Sequence, residues 1–231
     1  MFQTVIVALD FESEAKALAL VSQLGADTTY YKVGLQLLVE AGPSVVRHLV
    51  NMGKQVFLDL KLHEIPNSIT AGVKAAGKLG ATMVTVHASG GSAVLKAAVT
   101  AAKPFPGLQV LALTVITSLS DHELPELGLA PSVNAQVERL GKLRAECGCH
   151  GVVASAQEAA FLRALLPSSS LIVTPGIQLS GTGPEDQARI STPQAAALAG
   201  ASHIVVGRAI TASQNPAAAF AAAVSAFRRD A

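Results

Sequence analysis

Residues Val56–Ser68 read VFLDLKLHEIPNS, and this stretch decides how the rest of the chain is interpreted. It begins as the short apolar run that is typical of a buried strand. Four polar or charged side chains then follow within six positions: Asp59, Lys61, His63 and Glu64. Burying charge is costly unless the charges pair with one another or take part in chemistry. The stretch therefore predicts a buried strand that ends in a functional site.

Charged residues are scarce elsewhere in the chain. Of its 231 residues, 50% are hydrophobic and 14% are charged, and the net charge is +1. This length buries one sizeable core, so we expect residues 1–231 to form a single domain. The near-neutral charge and the lack of Trp argue against a nucleic-acid partner. No apolar run reaches about 18 residues and the N-terminus lacks signal-peptide features, so we expect no membrane span and no export.

The two cysteines, Cys147 and Cys149, are followed directly by His150. A metal site would need further ligands at suitable spacing, and none is evident. Two cysteines this close also make a poor structural disulfide. We therefore expect reduced thiols, no bound metal and a cytoplasmic location.

Short apolar runs alternate with Ala- and Leu-rich segments of helical spacing. The predicted strands are Thr4–Leu9, Thr28–Val33, Gln55–Leu60, Thr82–His87, Leu108–Val115, Gly151–Ala154, Leu171–Thr174 and His203–Val206. The predicted helices include Ser13–Leu24, Val45–Met52, Ser68–Leu79, Ala93–Ala102, Val133–Glu146, Ala156–Leu165, Pro193–Leu198 and Ala209–Arg228. Eight alternations favour an α/β fold, a (β/α)8 TIM barrel. A doubly wound open sheet usually carries a Gly-rich loop after its first strand, which this chain lacks.

In such a barrel the chemistry lies at the carboxyl ends of the strands. Asp59 and Lys61 are two apart and therefore face the same side of one strand, and Asp10 and Lys32 end neighbouring strands. We expect their charges to alternate around one cavity. Gly207 and Arg208 follow the last strand, where backbone N–H groups and a guanidinium favour a phosphate. The Gly-rich loop from Gln178 to Gln187 is a candidate lid.

Together these segments resemble the bacterial type of orotidine 5′-phosphate decarboxylase. The resemblance is carried by Asp59-Leu-Lys61-Leu-His-Glu64-Ile65-Pro66-Asn67-Ser68, which is similar to the family's Asp-x-Lys-x-x-Asp-Ile motif. Further matching segments are Val7–Asp10, Tyr31–Gly34, Thr174–Ile177 and Val206–Arg208. The resemblance covers nearly the whole chain. It implies conversion of orotidine 5′-monophosphate to uridine 5′-monophosphate and carbon dioxide, with no cofactor and no metal.

The resemblance also implies a homodimer and a role for each site residue. Asp10 and Lys32 would hold the ribose, and Asp59 would face the substrate carboxylate. Lys61 would protonate C6 as carbon dioxide leaves. Glu64, Ile65 and Ser68 would be contributed across the dimer interface. The remaining substrate contacts would be Thr117 near the pyrimidine and, around the phosphate, Pro175, Gln178, Gln187, Gly207 and Arg208.

The chain departs from the family pattern at two positions. Glu64 stands where the family has Asp, which lengthens the side chain by one methylene, and a shift of about 1 Å at a catalytic group can cost on the order of 100-fold in rate. Gln178 stands where many bacterial members have Arg, which predicts weaker phosphate binding or compensation by Arg208.

Three other functions remain open. A magnesium-dependent decarboxylase of 3-keto-L-gulonate 6-phosphate shares the motif, but it would need a carboxylate where the second strand has Lys32. A Schiff-base aldolase would need a desolvated, neutral Lys61, whereas acidic neighbours favour a charged one. A nucleotide-binding paralogue disabled by Glu64 would bind uridine monophosphate without turnover. We interpret His63 as an outward loop residue and His87 as a buried structural histidine.

Overall fold

The computed structural model describes residues 3–179 and 190–228, and within these ranges eight parallel strands close into a barrel. The strands are β1 (Thr4–Ala8), β2 (Tyr30–Gly34), β3 (Gln55–Leu62), β4 (Met83–His87), β5 (Gln109–Leu113), β6 (Gly151–Val153), β7 (Leu171–Thr174) and β8 (His203–Val206). Each strand pairs with the next along the chain, and β1 also pairs with β8, which closes the ring. The predicted (β/α)8 barrel is confirmed.

Helices connect the strands and surround the barrel. They are α1 (Glu14–Leu24), α2 (Leu35–Ala41), α3 (Ser44–Asn51), α4 (Pro66–Lys78), α5 (Gly91–Ala102), α6 (Val133–Glu146), α7 (Ala156–Leu165), α8 (Pro193–Leu198), α9 (Arg208–Thr211) and α10 (Pro216–Phe227). Several begin at a side chain that accepts a backbone N–H of the first turn: Ser13, Ser132, Thr192 and Asn215. Such caps satisfy donors that have no partner inside the helix, so the sequence sets these starting points locally.

Apart from shifts of one or two residues at the ends of other helices and strands, the structure differs from the sequence prediction in three elements. The sequence did not predict α2, because its 7 residues are shorter than the window in which helical periodicity is readable. The predicted helix Ala209–Arg228 is two helices, α9 and α10, separated where Asn215 caps the second and Pro216 starts it. Strand β3 runs to Leu62 rather than Leu60.

Side chains alternate along each strand between the barrel interior and the surrounding helices. On β1, Ile6 and Ala8 belong to the interior cluster, whereas Val5 and Val7 pack in the outer cluster with the helices. The interior cluster fills the barrel and consists of Ile6, Ala8, Tyr30, Phe57, Met83, Leu111, Leu113, Val153, Val173 and Val205. The barrel is thus a packed core, and a cavity lies above it at the carboxyl ends of the strands.

The cysteines lie where α6 ends and before β6 begins, and both are free and buried. Burial raises the pKa of both thiols, that of Cys149 to about 12. Residues 3–179 and 190–228 contain no group of three or more His, Cys, Asp or Glu arranged to hold a metal ion. No helix in the same ranges has the length and apolarity that crossing a bilayer requires.

Candidate active site

The charged residues of the site occupy inward positions directly above the apolar layer of the barrel. Two residues beyond Tyr30 on β2 comes Lys32, and two residues beyond Phe57 on β3 comes Asp59. Because the strand period is two, each of these side chains points to the same interior as the aromatic residue before it. Both line the cavity at the carboxyl ends of the strands. Because of this alternation, Lys32 and Asp59 lie in the same cavity with opposite charges.

Four charges form a continuous chain across the mouth of the barrel. Lys32 Nζ lies 2.7 Å from Asp10 Oδ1 and 3.9 Å from Asp59 Oδ2. Lys61 Nζ lies 2.7 Å from the same Oδ2 of Asp59. The signs alternate along the chain from Asp10 to Lys61, so every charge has at least one opposite neighbour. The structure thus brings together the four residues that the sequence placed in one cavity.

Burial differs along this chain. Lys32 and Asp59 are buried, at 8% and 9% relative exposure. The side chains of Asp10 and Lys61 are 53% and 39% exposed, so the outer charges face the open cavity. A buried charge is tolerated only when its partners replace most of the lost hydration. The inner pair is held by the protein, and the outer pair is accessible to a ligand.

The backbone of Lys61 is left-handed, with φ of 47°. Among the described residues, no other non-glycine residue has positive φ. Such a conformation costs about 1–3 kcal/mol and persists only where the surroundings enforce it. The β3–β4 pairing shifts register between Leu58 and Leu62, so the strand is irregular where Lys61 lies. Lys61 is therefore held in a strained position next to Asp59.

Thr85 on β4 contacts both residues of that pair. Its buried hydroxyl donates to Asp59 Oδ1 at 3.0 Å and accepts from the backbone N–H of Lys61 at 2.8 Å. This residue was not among those predicted from the sequence. A signal existed, because Thr85 is the inward position after Met83 and so belongs to the same polar layer as Lys32 and Asp59.

Gly34 ends β2 directly beside the ion pair of Lys32 and Asp10. A Cβ atom built on it would lie 3.0 Å from Lys32 Nζ and 3.1 Å from Asp10 Oδ1. Those distances are shorter than ordinary van der Waals contacts, so any side chain here would press on both groups. The absence of a side chain at Gly34 therefore leaves room for the pair, a role that was not predicted from the sequence.

The cavity has a volume of about 740 Å³, which suits a nucleotide-sized ligand. Its apolar floor comes from the barrel interior, including Phe57, Leu113 and Val205. The four charges lie on one side. Thr117 and its neighbours Ile116 and Ser118, after β5, form another part of the wall.

A further part of the cavity wall is formed by the segments after β7 and β8, and β8 pairs with β1. These contribute Pro175, Gly176, Gln178, Gly207 and Arg208, with Ala209 and Thr211 behind them. The helix that begins at Arg208 is the single turn of α9, so the expected long final helix does not start here. Gln187, also predicted to lie near the phosphate, is outside the described residues.

Glu64, Ile65 and Ser68 are exposed, and they are not among the residues that line the cavity of their own chain. Glu64 Oε2 instead accepts the backbone N–H of Ile65 at 2.6 Å. Ile65 is 64% exposed, which is unusual for a large apolar side chain beside a functional cavity. The first part of the motif, Asp59 and Lys61, therefore lines the cavity, whereas the second part, from Glu64 to Ser68, is exposed outside it.

His63 and His87 stack on one another, with ring centroids 5.1 Å apart and planes inclined by 28°. His63 is exposed, as predicted, and His87 is partly buried at the end of β4. Burial lowers the pKa of His87, and the nearby charges of His63 and Lys61 lower it further. This favours a neutral ring, consistent with a structural role.

The chain matches known proteins over nearly its full length. The family model described as "Orotidine 5′-phosphate decarboxylase / HUMPS family" matches residues 3–223. The protein named orotidine 5′-phosphate decarboxylase from Pseudoalteromonas translucida is 43% identical over 94% of both chains. The protein of the same name from Nitrosomonas europaea is 45% identical over 92% of this chain and 91% of its own.

Solved structures show the same relationship in three dimensions. The crystal structure of orotidine 5′-phosphate decarboxylase from Lactobacillus acidophilus has a TM-score of 0.88 and 37% identity, covering 98% of this chain and 100% of its own. An uncharacterized conserved protein from Geobacillus kaustophilus has a TM-score of 0.85 and 32% identity, covering 97% of this chain and 100% of its own.

Proposed function

The chain belongs to the orotidine 5′-phosphate decarboxylase / HUMPS family and converts orotidine 5′-monophosphate to uridine 5′-monophosphate and carbon dioxide, and we propose that the charge chain from Asp10 to Lys61 performs this reaction. The reaction is a step of pyrimidine nucleotide synthesis. The observation that carries the proposal is the 2.7 Å contact between Lys61 Nζ and Asp59 Oδ2 at the cavity wall. It places a proton donor and an anion at one point.

Lys61 is the proton donor in this mechanism. The bond between C6 and the carboxylate carbon breaks, its electron pair stays on C6, and carbon dioxide leaves. The ammonium group stabilises the developing carbanion and then transfers its proton to C6, which forms the new C–H bond. Neutral Lys61 recovers a proton from solvent, for which its 39% exposed side chain is suitably placed.

Asp59 faces the substrate carboxylate before the bond breaks. Its Oδ2 accepts from Lys61 and lies 3.9 Å from Lys32, so its charge is balanced in the free protein. A bound carboxylate adds a second anion near it, and the departure of neutral carbon dioxide relieves their repulsion. Asp59 thus aims Lys61 and favours release of the leaving group.

Asp10 and Lys32 hold the ribose hydroxyls. Their 2.7 Å pair offers both an acceptor and a donor at the rim of the cavity. A vicinal diol presents both donors and acceptors, so it can bind to the two groups without leaving either charge unpaired. Thr117 lies on the wall after β5, where we place the pyrimidine ring.

The phosphate lies at the segments after β7 and β8. Arg208 supplies a cation, and Gly207 and Gln178 supply further donors. Pro175 shapes the wall beside them, and we also propose a contact from Gln187, outside the described residues. Binding energy from this remote group can be used to organise the reacting end.

A second copy of the chain completes the site with Glu64, Ile65 and Ser68. In support, all three are exposed and outside the cavity of their own chain. Apolar side chains are also exposed on α2, which follows the strand paired with β3: Leu35 is 56% and Val39 79% exposed. These lie one helical turn apart and so share a face, which a homodimer interface would bury. The free thiols of Cys147 and Cys149 agree with the reducing cytoplasm as the location.

The test is a decarboxylation assay with purified protein and orotidine 5′-monophosphate, with a chelator present. We expect rapid loss of the orotate absorbance and a loss of at least about 100-fold in rate in Lys61→Ala. Activity that disappears with the chelator would instead indicate the magnesium-dependent branch of the family. Binding of uridine monophosphate without turnover would indicate a disabled paralogue, and Glu64→Asp would then show whether Glu64 is responsible.

A further inference from the structure

Thr85 lies at the centre of the strained part of the site although it does not line the cavity. Its side chain is fully buried, at 0% relative exposure. The hydroxyl hydrogen is directed at Asp59 Oδ1, and a hydroxyl lone pair faces the backbone N–H of Lys61. The Thr85 hydroxyl therefore acts as donor to Asp59 and as acceptor from Lys61, the two residues that we assign to the decarboxylation step.

The first of these bonds fixes which oxygen of Asp59 meets the lysines. Thr85 binds Oδ1, and both Lys61 and Lys32 are nearest to Oδ2. Without the hydroxyl, the carboxylate is free to rotate about its last bond, because that torsion is broad. Its two oxygens would then compete for the lysines.

The second bond compensates for the irregular strand. Between Leu58 and Leu62 the β3–β4 register shifts, so the regular backbone ladder is interrupted. A buried N–H group that loses its ladder partner must find another acceptor. The Lys61 N–H finds it in the Thr85 hydroxyl, which holds the left-handed backbone in place.

We propose that Thr85 is a positioning residue for the decarboxylation: its hydroxyl holds the Lys61 backbone and the Asp59 carboxylate in the reactive arrangement. The proposal rests on the proposed function, since it concerns the alignment of the proton donor. Thr85 touches neither the cavity nor the phosphate side, so its loss acts on turnover rather than on nucleotide binding.

The experiment compares Thr85→Val, which has the same shape without the hydroxyl, with Thr85→Ser, which keeps it. We expect Thr85→Val to lower kcat on the order of 100-fold, because a shift of about 1 Å at a reacting group has that effect. The dissociation constant of uridine monophosphate should change less than about threefold, and Thr85→Ser should recover most of kcat. Wild-type kcat in Thr85→Val would overturn the proposal.

Thr114→Val is the matched control. Thr114 is also a buried threonine after a barrel strand, and its hydroxyl donates to the backbone carbonyl of Val153 at 3.0 Å. It has no contact with the charge chain among the hydrogen bonds of the described residues. Equal losses of kcat in both variants would mean that any buried hydroxyl matters equally, which would also overturn the proposal.

Two further measurements keep the proposal testable. If Thr85→Val does not fold, Thr85→Cys replaces it, since it matches Ser in shape but is a weaker hydrogen-bond donor; wild-type kcat there would count against the proposal. A crystal structure of either variant should show Lys61 out of the left-handed region or Asp59 rotated. If the wild type itself lacks decarboxylase activity, the proposed function fails. The crystal structure of the variant then decides by itself whether Thr85 positions Lys61.

Discussion

The ammonium group of Lys32 and the carboxylate of Asp10 meet at 2.7 Å beside the unsubstituted α-carbon of Gly34. Asp10 follows β1 and Lys32 lies on the neighbouring strand β2, 22 positions away in sequence. Their contact depends on the space that Gly34 leaves open, because a Cβ there would approach both polar atoms within about 3 Å. The geometry of the ion pair that we assign to the ribose therefore depends on Gly34, a residue without a side chain.

Gly34→Ala should raise the KM for orotidine 5′-monophosphate by about 10-fold, because the new methyl group displaces the pair that we assign to the ribose. The fold should survive. The φ of Gly34 is −96°, which alanine adopts without strain, and the nearest atoms are ends of flexible side chains. Steady-state kinetics and thermal unfolding measure the two effects.

Gly107→Ala is the control for that substitution. Nothing lies within 4 Å of its Cβ position, it is exposed, and it precedes β5, whereas the cavity lies at the carboxyl ends of the strands. Its kinetics should equal those of the wild type. An unchanged KM in Gly34→Ala would show that the Lys32–Asp10 pair does not contact the substrate.

Mixing Lys61→Ala with Glu64→Ala should restore activity that neither variant has alone. If Glu64 serves the partner's site, a mixed dimer contains one site with both defects and one with none. Random exchange of subunits then yields about a quarter of wild-type activity. The measurement is the decarboxylation rate after the variants have been incubated together long enough to exchange.

The control mixes Lys61→Ala with Asp59→Ala. These two residues touch within one chain, at 2.7 Å, so every site of the mixed dimer keeps a defect and no recovery should follow. Recovery in neither mixture, with subunit exchange verified, would contradict the assignment of Glu64 to the partner's site.

Gln178→Arg should lower KM for orotidine 5′-monophosphate by about 10-fold and leave kcat unchanged, because a charge-assisted hydrogen bond to the phosphate adds binding energy. The gain should vanish with orotidine, which lacks the phosphate. Gln194→Arg, at an exposed position on α8, controls for the added charge. An equal gain with orotidine would place Gln178 away from the phosphate.

Acid should weaken the fold through His203, which lies at the start of β8. Burial lowers its pKa from 6.5 to about 4, and its ring meets Tyr30 edge-on at 6.2 Å. Between those two pKa values the unfolded chain binds a proton that the folded chain does not, so stability decreases as the pH falls. From pH 7 to pH 5 this contributes a loss of roughly 2 kcal/mol in unfolding free energy.

Urea unfolding at both pH values measures this loss in the wild type and in His203→Gln. Glutamine does not titrate. The loss of unfolding free energy between pH 7 and pH 5 should therefore be roughly 2 kcal/mol smaller in the variant than in the wild type. Parallel pH dependence in the two proteins would show that His203 carries no part of the acid sensitivity.

The sequence by itself determined the barrel and the spacing of Asp59 and Lys61 within the charge chain. Eight apolar runs of strand length, separated by helical segments, leave few arrangements that bury every run on both faces. Asp59 and Lys61 stand two residues apart on such a run, and this local pattern predicts that both face the interior. The capped starts of α1, α6 and α8 are local in the same sense.

Tertiary structure alone decided how the site is held. Thr85 and Asp59 are 26 residues apart, and only the pairing of β3 with β4 brings the hydroxyl to the carboxylate. The left-handed backbone of Lys61 likewise follows from a register shift between two strands, which neither strand encodes alone. Local periodicity fixes which face a side chain occupies, but closure of the barrel fixes its neighbours, because those contacts join segments that are distant in sequence.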